Sequence, residues 1–441
     1  MLTSSLAFSA FIVFLAFATM IFLVIKGVPM WLNAILATII VGLSTEEGPI
    51  GILLGSFSQG AGTIIQMMGV VYLMGMIFAD AMTSSGCGTK LGIFLVDKLS
   101  LKAAPFCIMI PTLLLALGGV DSYMFLMAPI AFAVLKRANL PRAVGVVVLC
   151  GTYTLIGFLM PGSTGMINVL AANLYGTDLF AGADVGILMM VIGIVLNALY
   201  YIWLCNDYRK KGIGYTPTEL EKNIPQNEED LPSFIVALIP ILIAFGGAFV
   251  FQLGLKMSSS MTAILSQGAA VIFIYITNWK RMNKNGEGRL NQIAVSIQKA
   301  FTFVMLAAIL MGFTSALGTT TLLNSMTSIL SGLKGNAYVV AVLSGMLLVF
   351  ITGAGMTSLT IFAPTVGKAL IEAGADAGMI HRLTMAASTT FDSTPWSMTI
   401  LLNFQVMDVK LKEAYKHVLV VQVLITSIYT LIGMVYAIIF H

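Results

Sequence analysis

Charge is what this chain has least of. Of its 441 residues only 10% are Asp, Glu, Lys or Arg, whereas 58% are hydrophobic, and the formal net charge is +4. A soluble domain carries charge on roughly a quarter of its residues, so the polar surface needed to coat a water-soluble protein of this size is missing. Cysteine is scarce too. Cys87, Cys107, Cys150 and Cys205 are scattered in apolar context without ligand spacing. They read as small buried hydrophobes and not as disulfides or metal ligands. Only three His are present, with no His-Glu-x-x-His zinc motif and no Gly-x-Ser-x-Gly nucleophile turn in the apolar runs. An intramembrane enzyme is therefore not expected, nor is a bound cofactor. No basic patch of the kind that grips nucleic acid occurs. The first apolar run, 7–25, has no basic residues ahead of it and no small-residue cleavage site behind it. It reads as a retained transmembrane helix, not a signal peptide.

Long apolar runs fill the space that charge leaves. A helix needs ~20 apolar residues to cross a ~30 Å hydrocarbon core. Such stretches occur at about 5–25, 29–45, 61–81, 143–168, 182–204, 233–253, 259–278, 295–316, 382–404 and 418–440, of which 143–168 and 382–404 are broken. Two further regions, about 103–135 and 336–371, bend at glycine clusters and read as re-entrant hairpins. The expected fold is an all-α membrane protein, an inverted repeat of five spans plus one re-entrant hairpin per half. The first half is 1–205 and the second 233–441, joined by the polar linker 206–232.

Basic residues orient this chain. Lys90, Lys98, Lys102, Lys136, Arg137, Arg142, Arg209, Lys210, Lys211, Lys280, Arg281, Lys284 and Arg289 all fall on one side, whereas Glu46, Glu47 and the loop 176–184 fall on the other. The expectation is a multi-pass protein of the cell membrane with both termini outside and the linker in the cytoplasm. The first hairpin then opens inward and the second outward.

The most informative pattern occurs twice, about 235 residues apart. Gly118-Gly119-Val120-Asp121-Ser122 precedes Pro129, and an apolar run then reaches Pro161-Gly162-Ser163-Thr164. Gly353-Ala354-Gly355-Met356-Thr357-Ser358 precedes Pro364, and a second run reaches Asp392-Ser393-Thr394-Pro395-Trp396-Ser397. Helix breaks at membrane depth are tolerated only where the freed backbone faces protein or a cavity. Paired breaks in two halves point to the binding site of a secondary transporter. Helix starts at the hairpin tips offer free N–H groups and the positive end of a dipole, which suits an anion. Candidate substrate contacts are Gly119, Ser122, Ser163, Thr164, Asn168, Gly355, Thr357, Ser358, Ser393, Thr394 and Ser397, with Asn403 nearby. No basic residue is expected at depth, since Arg142 and Arg382 lie near span ends. The plainer reading of these small residues is close helix packing.

Asp121 and Asp392 are the acids most plainly set in interrupted apolar sequence. A carboxylate there is costly and usually functional. Desolvation favours its protonated form, so each could carry a proton during transport; capping of a neighbouring helix start is the alternative. Asp80 reads as interfacial, and His381 as a boundary residue that could otherwise relay protons.

In these motifs the chain resembles the gluconate permease family of organic-acid:proton symporters, within the larger ion transporter superfamily. The resemblance runs over most of the chain. It is carried by Ser85-Gly86-Cys87-Gly88, Asp121 eight residues before Pro129, Gly157-Phe158-Leu159-Met160-Pro161-Gly162, Asn168 and above all the stretch 380–416. It implies that Asp121 takes the place of the family's hairpin acid. It also implies a homodimer whose scaffold (the first two spans of each half with the closing spans) stays fixed while hairpins and broken helices move as an elevator. Where one branch of the family has a His-polar-Gly turn after the proline, this chain has Trp396-Ser397-Met398, which widens the substrate class beyond gluconate. The function expected is proton-coupled import of a small organic anion, a gluconate-like sugar acid or another hydroxy or monocarboxylate. The rival is a sodium-coupled carboxylate carrier or a sodium/proton antiporter on the same fold.

Overall fold

The computed structural model describes residues 5–117, 120–163, 165–218, 228–283 and 289–441. Those residues are helical throughout, with no strand among them. In chain order the helices are α1 (Leu6–Ile25), α2 (Met30–Gly42), α3 (Gly48–Ile52), α4 (Ser58–Ser84), α5 (Cys87–Leu99), α6 (Ala104–Leu117) and α7 (Tyr123–Arg137). There follow α8 (Arg142–Gly157), α9 (Met166–Tyr175), α10 (Ala183–Lys210), α11 (Phe234–Phe249), α12 (Ser259–Asn278), α13 (Arg289–Gly318) and α14 (Thr321–Ser331). The last are α15 (Ala337–Thr352), α16 (Gly355–Phe362), α17 (Lys368–Glu372), α18 (Ala377–Thr390), α19 (Met398–Val406), α20 (Leu411–Leu419) and α21 (Ile425–Phe440). Wider π-type turns carry α3 into α4, α16 into α17 and α20 into α21.

Six of the resulting helices are long and apolar enough to cross a membrane: Leu6–Val24, Gly48–Ser84, Ala183–Lys210, Ser260–Asn278, Ile293–Gly318 and Leu411–Phe440. Their apolar side chains face outward as much as inward; Phe14, Leu54, Leu199 and Ile276 stand exposed. In water such a surface would be unstable, whereas lipid tails solvate it at no cost. The protein is thus a multi-pass integral membrane protein.

Of the four remaining expected spans, α2 and α11 are short continuous helices, and the other two are short because they break. α8 stops at Gly157, the chain runs without regular helix through Ser163, and α9 begins at Met166. α18 stops at Thr390, and α19 starts only at Met398. α15 ends at Gly353, whose φ of +65° is the left-handed conformation that glycine adopts without strain. Two helices are additions to the sequence reading. The amphipathic α5 precedes the first hairpin and meets the helical run Leu101–Leu117 at a bend of 116°; α14 precedes the second. Each is too short and too polar on one face to register as a span.

Two packing groups emerge. α4 lies along α13, and α1, α2, α5, α11 and α12 gather about that pair, whereas α6, α8, α10, α15, α18 and α21 pack on one another. The closing helices α10 and α21 therefore sit against the broken helices, not with α1 and α2 as the family resemblance implies. Loops meet at one end of the bundle. There Arg209 donates to Leu101 O at 2.8 Å, Tyr215 N–H to Asn139 Oδ1 at 3.0 Å, and Arg281 to Asp230 O at 3.2 Å. This end, which holds the described parts of the linker 206–232, is the linker face.

Candidate functional site

The four breaks converge. Asp121 from the first hairpin tip, Gly353-Ala354-Gly355 from the second, and Asp392 and Trp396 from the second broken helix line one cavity of about 100 Å³. A water needs roughly 10–15 Å³ by the same measure, so the space suits a ligand of several heavy atoms. Tyr72 of α4, Tyr123 of α7, Tyr153 and Thr154 of α8, Thr314 of α13 and Gln422 in the π-type turn complete its polar rim.

Each acid ties a hairpin to a broken helix. Asp121 accepts the backbone N–H of Met166, the first residue of α9, at 3.3 Å, and the phenolic O–H of Tyr153 on its other oxygen. Asp392 accepts the Ser397 hydroxyl at 2.9 Å and lies against Gly355, the first residue of α16, where a Cβ would come 3.2 Å from its Oδ2. A carboxylate at a helix start satisfies an otherwise orphaned donor and sits at the positive end of the dipole. The helix starts that the sequence offers to an anion are thus occupied by the protein's own carboxylates. Tyr123 stacks on Tyr153, centroids 4.2 Å apart, and its hydroxyl accepts from Asn403 Nδ2 at 2.9 Å, which joins the first hairpin to α19.

Of the residues singled out from sequence, Asp121, Asp392 and Gly355 line the cavity. Gly119 and Thr164 lie outside the described residues. The others sit in the surrounding shell. Ser122 accepts from Gln267 Nε2, Ser163 donates to Ala116 O at 3.3 Å, and Asn168 donates to Ser163 O at 2.8 Å. Thr357 points its hydroxyl at Met311 Sδ, 3.8 Å away, and Ser358 donates to Gly355 O at 2.8 Å. Ser393 is buried, its carbonyl accepting from Tyr415 at 2.8 Å, and Ser397 holds Asp392 as described. Thr394 Oγ1 is buried without a hydrogen-bond partner, as are Trp396 Nε1 and Gln422 Oε1. Orphaned buried polar groups cost ~1–3 kcal/mol each, and a native fold keeps them where a ligand or water completes them.

Trp396 forms one wall. Its ring stacks on Phe17 of α1 at 4.6 Å and 8°, and a side chain on Gly353 would collide with its indole nitrogen.

Behind the cavity lies a correction to the sequence reading. Arg382 is the largest fully buried side chain, not a boundary residue. Its guanidinium donates to Ala181 O and Phe158 O at 3.0 Å, Leu179 O at 3.1 Å and Asn168 Oδ1 at 3.2 Å. One carbonyl of the first break, at Phe158, and two of the loop that follows α9 solvate this charge. His381, also buried, pairs Nδ1 with Thr177 Oγ1 at 2.7 Å and Nε2 with Asn168 Oδ1 at 3.3 Å. Asp80 faces inward, bonded to Lys299 at 3.1 Å and Ser296 at 2.6 Å. The tyrosines and Gln422 escape a sequence reading because polar aromatics and amides in apolar helices look like packing.

A helical bundle of this kind, crossing the membrane many times and enclosing a polar cavity where its helices break, has the architecture of a membrane permease. More narrowly, the chain belongs to the GntP family of permeases: the GntP family permease profile matches residues 8–279. It is similar to an uncharacterized permease of Haemophilus influenzae, 24% identical over 241 residues, or 52% of this chain and 48% of that one. It is also similar to the uncharacterized transporter YxjC of Bacillus subtilis, 24% identical over 208 residues, or 46% of this chain and 44% of the other. The chain thus spans about half the length of the curated relatives it matches. Among solved structures, the Alcanivorax borkumensis YdaH transporter aligns over 90% of this chain and 89% of its own, at 14% identity and a TM-score of 0.45.

Proposed function

We propose that this permease is a secondary active transporter of a small organic anion, a gluconate-like sugar acid or another hydroxy or monocarboxylate, coupled to protons. One observation carries the reading: two carboxylates line a single cavity whose described lining holds no Lys, Arg or His. An anion facing two ionised acids at such depth meets only repulsion, since opposite charges or neutralisation must balance buried charge. Protonation removes the repulsion and turns each carboxyl group into a hydrogen-bond donor. Anion and proton then occupy the cavity together or not at all, which is the elementary requirement for symport.

The same reading supplies an architecture. The halves 1–205 and 233–441 form an inverted repeat, each with a hairpin, a broken helix and a closing helix. The packing groups supply the two bodies of an elevator, with α10 and α21 assigned to the moving one because they pack against α8 and α18. A homodimer would hold the other body fixed in the bilayer. Two facing acids also favour a second reading, a sodium site in place of one or both protons, since oxygen ligands of this kind suit hard cations. Counterflow in proteoliposomes decides. Exchange of a labelled acid from a panel of gluconate, 3-hydroxybutyrate, lactate and citrate without Na⁺ supports the proton-coupled carrier. No exchange, with Na⁺-driven proton movement in empty vesicles, supports the antiporter.

A further inference from the structure

A second cavity of about 330 Å³ lies toward the linker face, and the four helices that line it, α4, α7, α13 and α19, all line the first as well. α4 contributes Tyr72 to the central cavity and Asp80 and Thr83 to the second; α13 contributes Thr314 to the central cavity and Lys299 to the second. α7 and α19 likewise pass from one to the other. Thr314 and Lys299 are 15 residues apart on one helix, which at 1.5 Å per residue puts those two side chains roughly 20 Å apart along the bundle, whereas the near walls, Tyr72 and Met76 on α4, are four residues apart.

An aromatic partition stands between them. Phe125 of α7 meets Tyr72 edge-on at 5.8 Å and Phe303 of α13 at 5.3 Å. Gly75 makes room for it: a Cβ there would lie 2.9 Å from the Phe125 ring. The second cavity also holds what the first lacks. Lys299 is the one basic residue among the described lining of either. Its ammonium rests on Asp80, half-exposed, while the other acid of this cavity, Asp408, is matched by Arg142 at 3.1 Å.

We propose that the linker-face cavity is an antechamber of the transport path, closed from the central cavity by Phe125, in which Lys299 exchanges Asp80 for the carboxylate of the passing anion. The role of Lys299 rests on the anion reading above; the partition does not. A half-exposed ion pair contributes little to stability, so the exchange is close to even in energy. The anion then meets a cation at the last point before a cavity that has none.

The test uses the whole chain in sealed vesicles with the linker outward, checked by protease cleavage within 206–232. Thr83→Cys places a thiol in the antechamber and Thr314→Cys one in the central cavity. The membrane-impermeant anion sulfonatoethyl methanethiosulfonate, added outside, modifies Thr83→Cys and spares Thr314→Cys. Phe125→Ala brings Thr314→Cys into reach. Equal modification of both thiols with Phe125 in place overturns the partition whatever the transport data. For Lys299 the readout is exchange of labelled 3-hydroxybutyrate or gluconate, whichever the unmodified protein carries. Asp80→Asn uncovers the ammonium and lowers the half-saturating concentration several-fold, a change that loss of a merely structural tie would not produce. Removing both charges, with Asp80→Asn and Lys299→Gln together, slows maximal exchange about tenfold, the worth of one charge-assisted hydrogen bond. An unchanged half-saturation in the first and an unchanged rate in the second overturn the transit role. If neither acid exchanges in the unmodified protein, the anion reading falls and the role of Lys299 with it, while the labelling pattern still decides the partition.

Discussion

Asp121 and Asp392, 271 residues apart in sequence, face one cavity and make reciprocal contacts. Asp121 stands on a hairpin and binds the first N–H of a broken helix's second part, at Met166. Asp392 stands in a broken helix and its Oδ2 lies against the first residue of a hairpin's second arm, Gly355. Protonation of either acid weakens the tie that holds two separate breaks together.

Tyr153→Phe removes the hydroxyl that donates to Asp121 but keeps the ring that stacks on Tyr123. The expected result is a protein that folds as before and accumulates substrate about tenfold more slowly, from loss of ~1.5 kcal/mol to a charged acceptor. Initial uptake rates in proteoliposomes, set beside elution profiles in detergent, check both halves of that statement.

Arg382→Gln leaves the carbonyls of Phe158, Leu179 and Ala181 without the guanidinium that serves them. Each costs ~1–3 kcal/mol, so a thermal melt in detergent should shift down by many degrees. Arg382→Lys should not restore it, because an ammonium cannot reproduce the planar fork that serves four acceptors.

Trp396→Phe keeps an aromatic ring against Phe17 and enlarges the cavity. The expected change is in selectivity: bulkier acids compete better against a small labelled one, with overall stability within about 1.5 kcal/mol of the original. An unchanged rank order of competing acids would place the specificity wall elsewhere.

The breaks themselves were legible in sequence because proline, glycine and hydroxyl clusters cannot continue a helix through apolar surroundings. The structure places them at 158–163, 353–354 and 391–397, on or beside Pro161, Gly353 and Pro395. The two acids were legible for the same reason, since charge stands out where everything else is apolar. What the hydroxyls would contact was not. Ser163 and Asn168 are drawn into the shell by partners that only tertiary folding supplies, such as Ala116 O and the Arg382 guanidinium. Arg382 itself lies 14 residues before Trp396, in a position that hydropathy marks as a span end. Its burial depends on carbonyls freed some 200 residues earlier, for which no local pattern exists.

The most direct test of the account compares two modes of transport in Asp121→Asn and Asp392→Asn, using an acid that the unmodified protein exchanges. With a pH gradient, accumulation should be lost in each variant, while exchange at equal pH on both sides persists in part. Full pH-driven accumulation in both variants would contradict the claim that these two carboxylates couple the proton to the anion.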